Sequence, residues 1–227
     1  MTALHLAVFD MDGTLIDSQA AILGAMASAF DARGAAPPPR AAVLGIVGLS
    51  LPLAIARLVP EAEPGEVAAL AEAYRAAFLA AAAEGPPPLY PGARELLETL
   101  AARPEMLLGI ATGKSRRGLE AVLAGHGLAG LFVTTQTADG HPSKPHPAML
   151  EAALRATGIA PGAAAMIGDT SFDVEMAQAA AVPALAVTWG YHPTAALARA
   201  DATVARMAEV PGALDRLWGR VAVERQP

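Results

Sequence analysis

Residues 4–18 read Leu4-His5-Leu6-Ala7-Val8-Phe9-Asp10-Met11-Asp12-Gly13-Thr14-Leu15-Ile16-Asp17-Ser18, an apolar run that stops at two aspartates and a glycine. A run this short, bounded by turn residues, is the pattern of a strand buried on both faces. Comparable runs follow at Met106–Ala111, Leu131–Thr134, Ala164–Ile167 and Ala184–Val187. Helical patterns separate them: Pro91 opens one with Leu96, Leu97 and Leu100 on a face, Ser115 caps a second with Leu119, Val122 and Leu123, and Pro147 starts a third ending near Gly158. Alternation of this kind predicts an α/β fold, a Rossmann-like doubly wound parallel sheet with right-handed crossovers that binds ligands beyond the carboxyl ends of its strands.

Residues from about Ser18 to Gly85 break the rhythm, with helical stretches and no convincing strand. Ser18 is placed to N-cap a helix carrying Ile22, Leu23, Met26 and Phe30, with Gly34 as its stop, and Val67–Ala83 continues the helical theme. The chain then returns through Gly85-Pro86-Pro87-Pro88, a stiff connection. The expected organisation is a core formed by residues 1–16 and 89–227, with residues 17–88 inserted as an α-helical cap hinged over the end of the first strand.

Composition narrows the function classes. With 54% hydrophobic and 17% charged residues among 227, the chain has apolar surface enough for a packed core. The absence of Cys removes disulfides, thiolate metal sites and Cys nucleophiles together. A formal net charge of -6, with the sixteen Lys and Arg scattered, argues against nucleic acid as a partner. The apolar stretch at the N-terminus is short and runs into acids, so no signal peptide is expected. Gly and Pro interrupt both long uncharged segments, Ala41–Ala56 and Met176–Ala198, which spoils them as membrane spans. These features lead us to expect a cytoplasmic protein without a membrane partner, either a monomer or a small homo-oligomer.

Asp10 and Asp12 stand two residues apart at a strand end, and Gly13 lets the backbone turn behind them. The fourth apolar run ends in Gly168-Asp169-Thr170-Ser171-Phe172-Asp173, so a second pair of acids emerges at the same sheet edge. Crowded carboxylates are costly unless a cation intervenes, and an all-oxygen set favours Mg²⁺. Asp173 has a second available role, as a first-turn acid complementing a helix capped by Ser171.

The second run ends at Thr112-Gly113-Lys114-Ser115, which lacks the glycine that a nucleotide-binding P-loop requires where Leu108 stands. A threonine hydroxyl with exposed N–H groups at a strand-to-helix junction nevertheless suits phosphate oxygens. Lys114, beside a helix N-terminus, is either solvated or paired with an anion. Lys144, in Ser143-Lys144-Pro145-His146-Pro147, is the cation expected to compensate the acids and a phosphate. His126, His141 and His192 lack a partner at metal-ligand spacing and suit polar roles in loops or at helix ends.

Taken in order, Asp10 to Ser18, Thr112, Lys144 in Ser-Lys-Pro-His-Pro, and Gly168 to Asp173 resemble the four motifs of the haloacid dehalogenase superfamily, and within it the phosphoglycolate phosphatase-like members with a helical cap. The resemblance spans nearly the whole chain. It implies a mobile cap and Mg²⁺-dependent phosphoryl transfer through an aspartyl-phosphate. It also implies phosphatase rather than dehalogenase chemistry, because the dehalogenases lack an acid at the position of Asp12. Asp10 is then the nucleophile and Asp12 the general acid and base. Thr112 and Lys144 hold phosphate oxygens, and Thr14, Gly113 and Lys114 shape the substrate side. The implied metal set is Asp10, Asp12 through its backbone carbonyl, Asp169 and Asp173. Within the cap, Val47-Gly48-Leu49-Ser50 is a small-residue break suited to close approach to a ligand, so Gly48, Leu49 and Ser50 are the expected selectivity residues. Apolar Leu49 suggests a small phosphorylated metabolite, phosphoglycolate-like, as substrate. A phosphosugar mutase, a pyrophosphatase and a phosphate-binding module without turnover remain alternatives.

Overall fold

The computed structural model describes residues 4–83 and 85–224. Its centre is a parallel sheet of six strands: β1 His5–Phe9, β2 Met106–Thr112, β3 Thr134–Thr137, β4 Ala164–Gly168, β5 Ala184–Val187 and β6 Ala202–Val204. They lie in the order β3-β2-β1-β4-β5-β6, so the direction of winding reverses between β1 and β4. This doubly wound arrangement leaves a crevice at the carboxyl ends of those two central strands.

Burial on both faces explains why β1 carries no polar alternation. Ala7 and Phe9 join one cluster with Leu97 and Leu100, Leu119 and Val122, and Leu214 and Trp218. These come from α5 Ala93–Ala101, α6 Arg116–Gly125 and α9 Val210–Glu224. Leu6 and Val8 point the other way, into a cluster with Met149, Leu150, Val174 and Ala177 from α7 Ala148–Thr157 and α8 Ser171–Ala179. A side-chain period of two thus distributes one five-residue strand between two cores.

Between β1 and α5 the described chain forms helices only: α1 Gln19–Asp31, α2 Arg40–Leu44, α3 Leu51–Leu58 and α4 Pro64–Ala82. They hold their own apolar cluster, in which Ile22, Met26 and Phe30 of α1 meet Val43, Ile55 and Leu70. The two connections to the sheet run side by side, with Asp17 N–H donating to Pro88 O at 2.8 Å and Tyr90 N–H to Leu15 O at 2.9 Å. Among the described residues, no helix is long and apolar enough to cross a membrane.

Three local expectations need correction. The strand expected at Leu131–Thr134 forms at Thr134–Thr137 instead, because Leu131 and Phe132 pack against the core from the loop while threonines supply the edge strand. The three-residue β6 carries no run long enough to be read from sequence. Thr170, not Ser171, caps α8; its hydroxyl accepts from Asp173 N–H while the Asp173 carboxylate accepts from Thr170 N–H.

The placement of Leu97 generates a first prediction. Leu97→Ala removes a fully buried side chain between α5 and the sheet, and should cost about 2–5 kcal/mol in urea unfolding, whereas Leu53→Ala, at 38% exposed, should stay within about 0.5 kcal/mol of the parent.

Candidate active site at the carboxyl edge of the sheet

Three carboxylates, those of Asp10, Asp169 and Asp173, converge where β1 and β4 end, with one oxygen of each within 4.8 Å of the others, and all three residues are buried. Each is held differently. Asp169 accepts from the Thr14 hydroxyl at 2.8 Å and from Tyr191 N–H at 2.8 Å. Asp173 accepts from Thr170 through its N–H at 3.1 Å and its hydroxyl at 2.7 Å, and its other oxygen lies 2.6 Å from Lys144 Nζ. Asp173 therefore serves both as the helix-capping acid and as a member of the cluster. Asp10 has neither carboxylate oxygen in a directed hydrogen bond, although Lys144 Nζ stands 3.0 Å from Oδ1 as an ion pair.

The electrostatics follow from three buried acids and one buried ammonium, which pairs with Asp10 and Asp173. Burial pushes Asp10 up to about 6 against the pull of Lys144, with the Asp173 and Asp12 charges adding to the rise. Asp169 is pushed well above the usual carboxylate range by burial, then by Asp173 and Asp10. Burial alone would lower Lys144, but the charges of Asp10 and Asp173 outweigh it and hold the ammonium protonated. Gly13 makes room for this set: its φ is +87° and a Cβ there would run into the Asp169 carboxylate.

The Asp12 carboxylate stands apart from the cluster. Its Oδ1 accepts from the Ser18 hydroxyl at 2.5 Å, and its Oδ2 lies 3.0 Å from Lys114 Nζ. Lys114 thus has the anion that its place before α6 calls for, and its ammonium also sits 4.8 Å from the centre of the Phe78 ring on α4. Thr112 is buried at the end of β2, and its hydroxyl accepts from Lys114 N–H at 3.3 Å.

The inserted helices meet this edge through the Gly48–Ser50 turn. A Cβ on Gly113 would collide with the carbonyl oxygens of Gly48 and Leu49, so backbone lies on backbone there. Ser50 N–H donates to Ser143 Oγ at 2.8 Å, one residue before Lys144. Between the two parts lies a cavity of about 400 Å³, lined by Asp10, Asp12, Thr112 and Lys114 below and by Leu49, Tyr74 and Phe78 above, among others.

All the residues singled out in the sequence therefore gather at one edge, with Asp12 separated from the other three acids. Tyr74, Phe78 and Tyr191 escaped the sequence reading, which gave Ser18 the role of a helix cap. Ser18 stands at the N-cap position of α1 but makes no side-chain capping bond, because its hydroxyl turns to Asp12. The histidines have polar roles: His126 Nε2 lies 2.8 Å from Pro87 O, His141 Nε2 lies 2.8 Å from Gln136 Oε1, and His192 Nδ1 accepts from Ser171 N–H.

A profile of the haloacid dehalogenase-like hydrolases matches residues 7–187. The chain belongs to that family. It is 34% identical over 218 residues to the probable phosphatase IndB of Dickeya dadantii, covering 93% of this chain and 94% of the relative. It is 36% identical over 201 residues to a phosphoglycolate phosphatase of Rhodospirillum rubrum, covering 84% of this chain and 83% of the other. Among solved structures, a haloacid dehalogenase-like hydrolase from Streptococcus pneumoniae superposes with a TM-score of 0.81 at 26% identity, covering 93% of this chain and 99% of that one.

The acid cluster predicts an inverse relation between stability and charge. In metal-free protein at pH 8, Asp10→Asn should unfold at a higher denaturant concentration than the parent, since burial costs the Asp10 charge more than its ion pair with Lys144 returns. Because the folded-state value of about 6 exceeds the unfolded 3.8, folding of the parent gains from Asp10 protonation as the pH falls. The difference between the two proteins should therefore shrink between about pH 6 and pH 4. Denaturant midpoints measured across that range check the sign, and a less stable Asp10→Asn at pH 8 contradicts the reading.

Proposed function

We propose that this phosphoric monoester hydrolase works through an aspartyl-phosphate on Asp10 and depends on a divalent cation, Mg²⁺ by the chemistry of its all-oxygen donors. The observation that carries the reading is the Asp10 carboxylate, which is buried, without a directed hydrogen bond, and the one of three converging acids that lines the cavity. The three acids fit a hard cation, since one ammonium leaves their charge uncompensated and carboxylate oxygens are the ligands such an ion prefers. Asp10, Asp169 and Asp173 would hold it, and when bound it would screen the phosphate charge and polarise its oxygens.

The chain's own groups divide the remaining work. Asp10 attacks phosphorus from the end of β1, while Lys144 and the Thr112 hydroxyl hold the equatorial oxygens against the repulsion between carboxylate and phosphate. Asp12, whose carboxylate stands apart from the cluster and lines the cavity, protonates the leaving oxygen and then, as carboxylate, takes a proton from the water that splits the acyl-phosphate. Residues 17–88 act as a cap that encloses the leaving group, with the Gly48–Ser50 turn seated on Gly113. A small phosphate monoester of the phosphoglycolate kind is the substrate class supported by the name of the Rhodospirillum rubrum relative and by apolar Leu49 at the turn.

A panel of small phosphate esters, sugar phosphates and pyrophosphate, assayed for phosphate release with and without Mg²⁺, tests the reading. Asp10→Asn should lose essentially all turnover. Asp12→Asn should keep a first-turnover burst of p-nitrophenol from p-nitrophenyl phosphate, whose leaving group needs little protonation, while later turnovers stall. Phosphate release by Asp10→Asn at more than a small fraction of the parent rate would exclude the covalent route.

A further inference from the structure

The hydrogen-bond partners of Asp12 lead to a residue on the far side of the sheet edge. Tyr191, in the loop after β5, places its hydroxyl 3.0 Å from Ser18 N and 3.2 Å from Ser18 Oγ, and Ser18 Oγ lies 2.5 Å from Asp12 Oδ1. The directions of these bonds follow from proton counting. Ionised Asp12 has no hydrogen, so the Ser18 hydroxyl donates to it. With its one hydroxyl hydrogen committed to Asp12, Ser18 Oγ is the acceptor in its contact with the Tyr191 hydroxyl, whose oxygen in turn accepts from Ser18 N–H.

We propose that Tyr191 is a positioning residue for proton transfer: by holding the Ser18 hydroxyl as a donor to Asp12 Oδ1, it confines the Asp12 proton to Oδ2, the oxygen paired with cavity-lining Lys114. The proposal rests on the phosphatase reading above. As the bond from Asp10 to phosphorus forms and the bond to the leaving oxygen breaks, the Oδ2 proton passes to that oxygen, giving the free alcohol and an Asp12 carboxylate. In the second half, Oδ2 takes a proton from water as the water oxygen bonds phosphorus and Asp10 is released. With Tyr191 removed, Ser18 is free to turn and accept from a proton on Oδ1, which aims the acid away from the substrate. Tyr191 also anchors this loop to the acid cluster, through its N–H on Asp169, but that contact belongs to the backbone and survives a change of side chain.

The test is a double-mutant cycle of Tyr191→Phe and Ser18→Ala, read as first-turnover alcohol release with Mg²⁺ from two esters: p-nitrophenyl phosphate, and an alkyl phosphate from the panel that the parent hydrolyses. Each single variant should slow the alkyl ester about tenfold, a part of what a general acid contributes, and leave the p-nitrophenol burst within about twofold. The double variant should be no slower than Ser18→Ala alone, because Tyr191 acts through Ser18. Ser18→Thr, which keeps the hydroxyl, should stay close to the parent, and the half-saturating Mg²⁺ concentration should not move in Tyr191→Phe. Equal losses on both esters, losses that multiply in the double variant, or a raised Mg²⁺ requirement in Tyr191→Phe would overturn the assignment and leave Tyr191 as a support for the Asp169 loop. A parent protein that releases alcohol from no ester of the panel overturns the phosphatase reading, and this assignment with it.

Discussion

The arrangement depends on a charge imbalance in a place that excludes water: Asp10, Asp169 and Asp173 are gathered with one ammonium, Lys144, which pairs with Asp10 and Asp173, and all four are buried. Burying like charges is costly unless hydrogen bonds or counter-ions offset the lost hydration. The surroundings supply most of that offset. Thr14 and the Tyr191 backbone serve Asp169, the α8 cap and Lys144 serve Asp173, and Asp10 retains only the ion pair. The least satisfied carboxylate is thus the one of the three that lines the cavity. That is where a cation and an electrophile both have most to gain.

Asp12 is only two residues from Asp10, but the turn after β1 sends it into a different electrostatic setting. Its direct partners are a hydroxyl and a single ammonium, neither of which touches the three-acid cluster. The same turn leads into the inserted helices, because Ser18 immediately precedes α1. Asp12 is consequently tied both to the root of the insertion and, through Lys114 and Phe78, to its longest helix. The insertion closes on the core with backbone against backbone at Gly113, a contact tight enough to exclude any side chain there. The cavity is therefore shaped by both parts, and neither encloses it alone.

The sheet was legible wherever a strand was buried on both faces, as in β1 and β4, since a short apolar run has few other places to go. It was misread at the edges. The β3 strand is built from threonines beside an apolar loop, and β6 is too short to leave a pattern. The capping residue of α8 was displaced by one position because Thr170 and Ser171 have the same local chemistry, and only the reciprocal bond with Asp173 decides between them. Ser18 misled for a related reason: a serine before a helix usually caps it, whereas here a carboxylate from the preceding turn competes for the hydroxyl.

The sequence by itself determined the doubly wound order of elements, the helical character of the insertion and the acids and cations that would meet, because each is a local pattern of burial or turn chemistry attached to a strand end. Tertiary structure alone decided how those groups are paired. Lys144 comes to lie between Asp10 and Asp173, Lys114 goes to Asp12, and Tyr191 reaches Ser18 across 173 positions of chain. Such pairings depend on distances of about 3 Å between residues on separate crossovers. No periodicity along the chain encodes those distances, and only the side-by-side packing of β1 to β5 in the sheet brings the loops together.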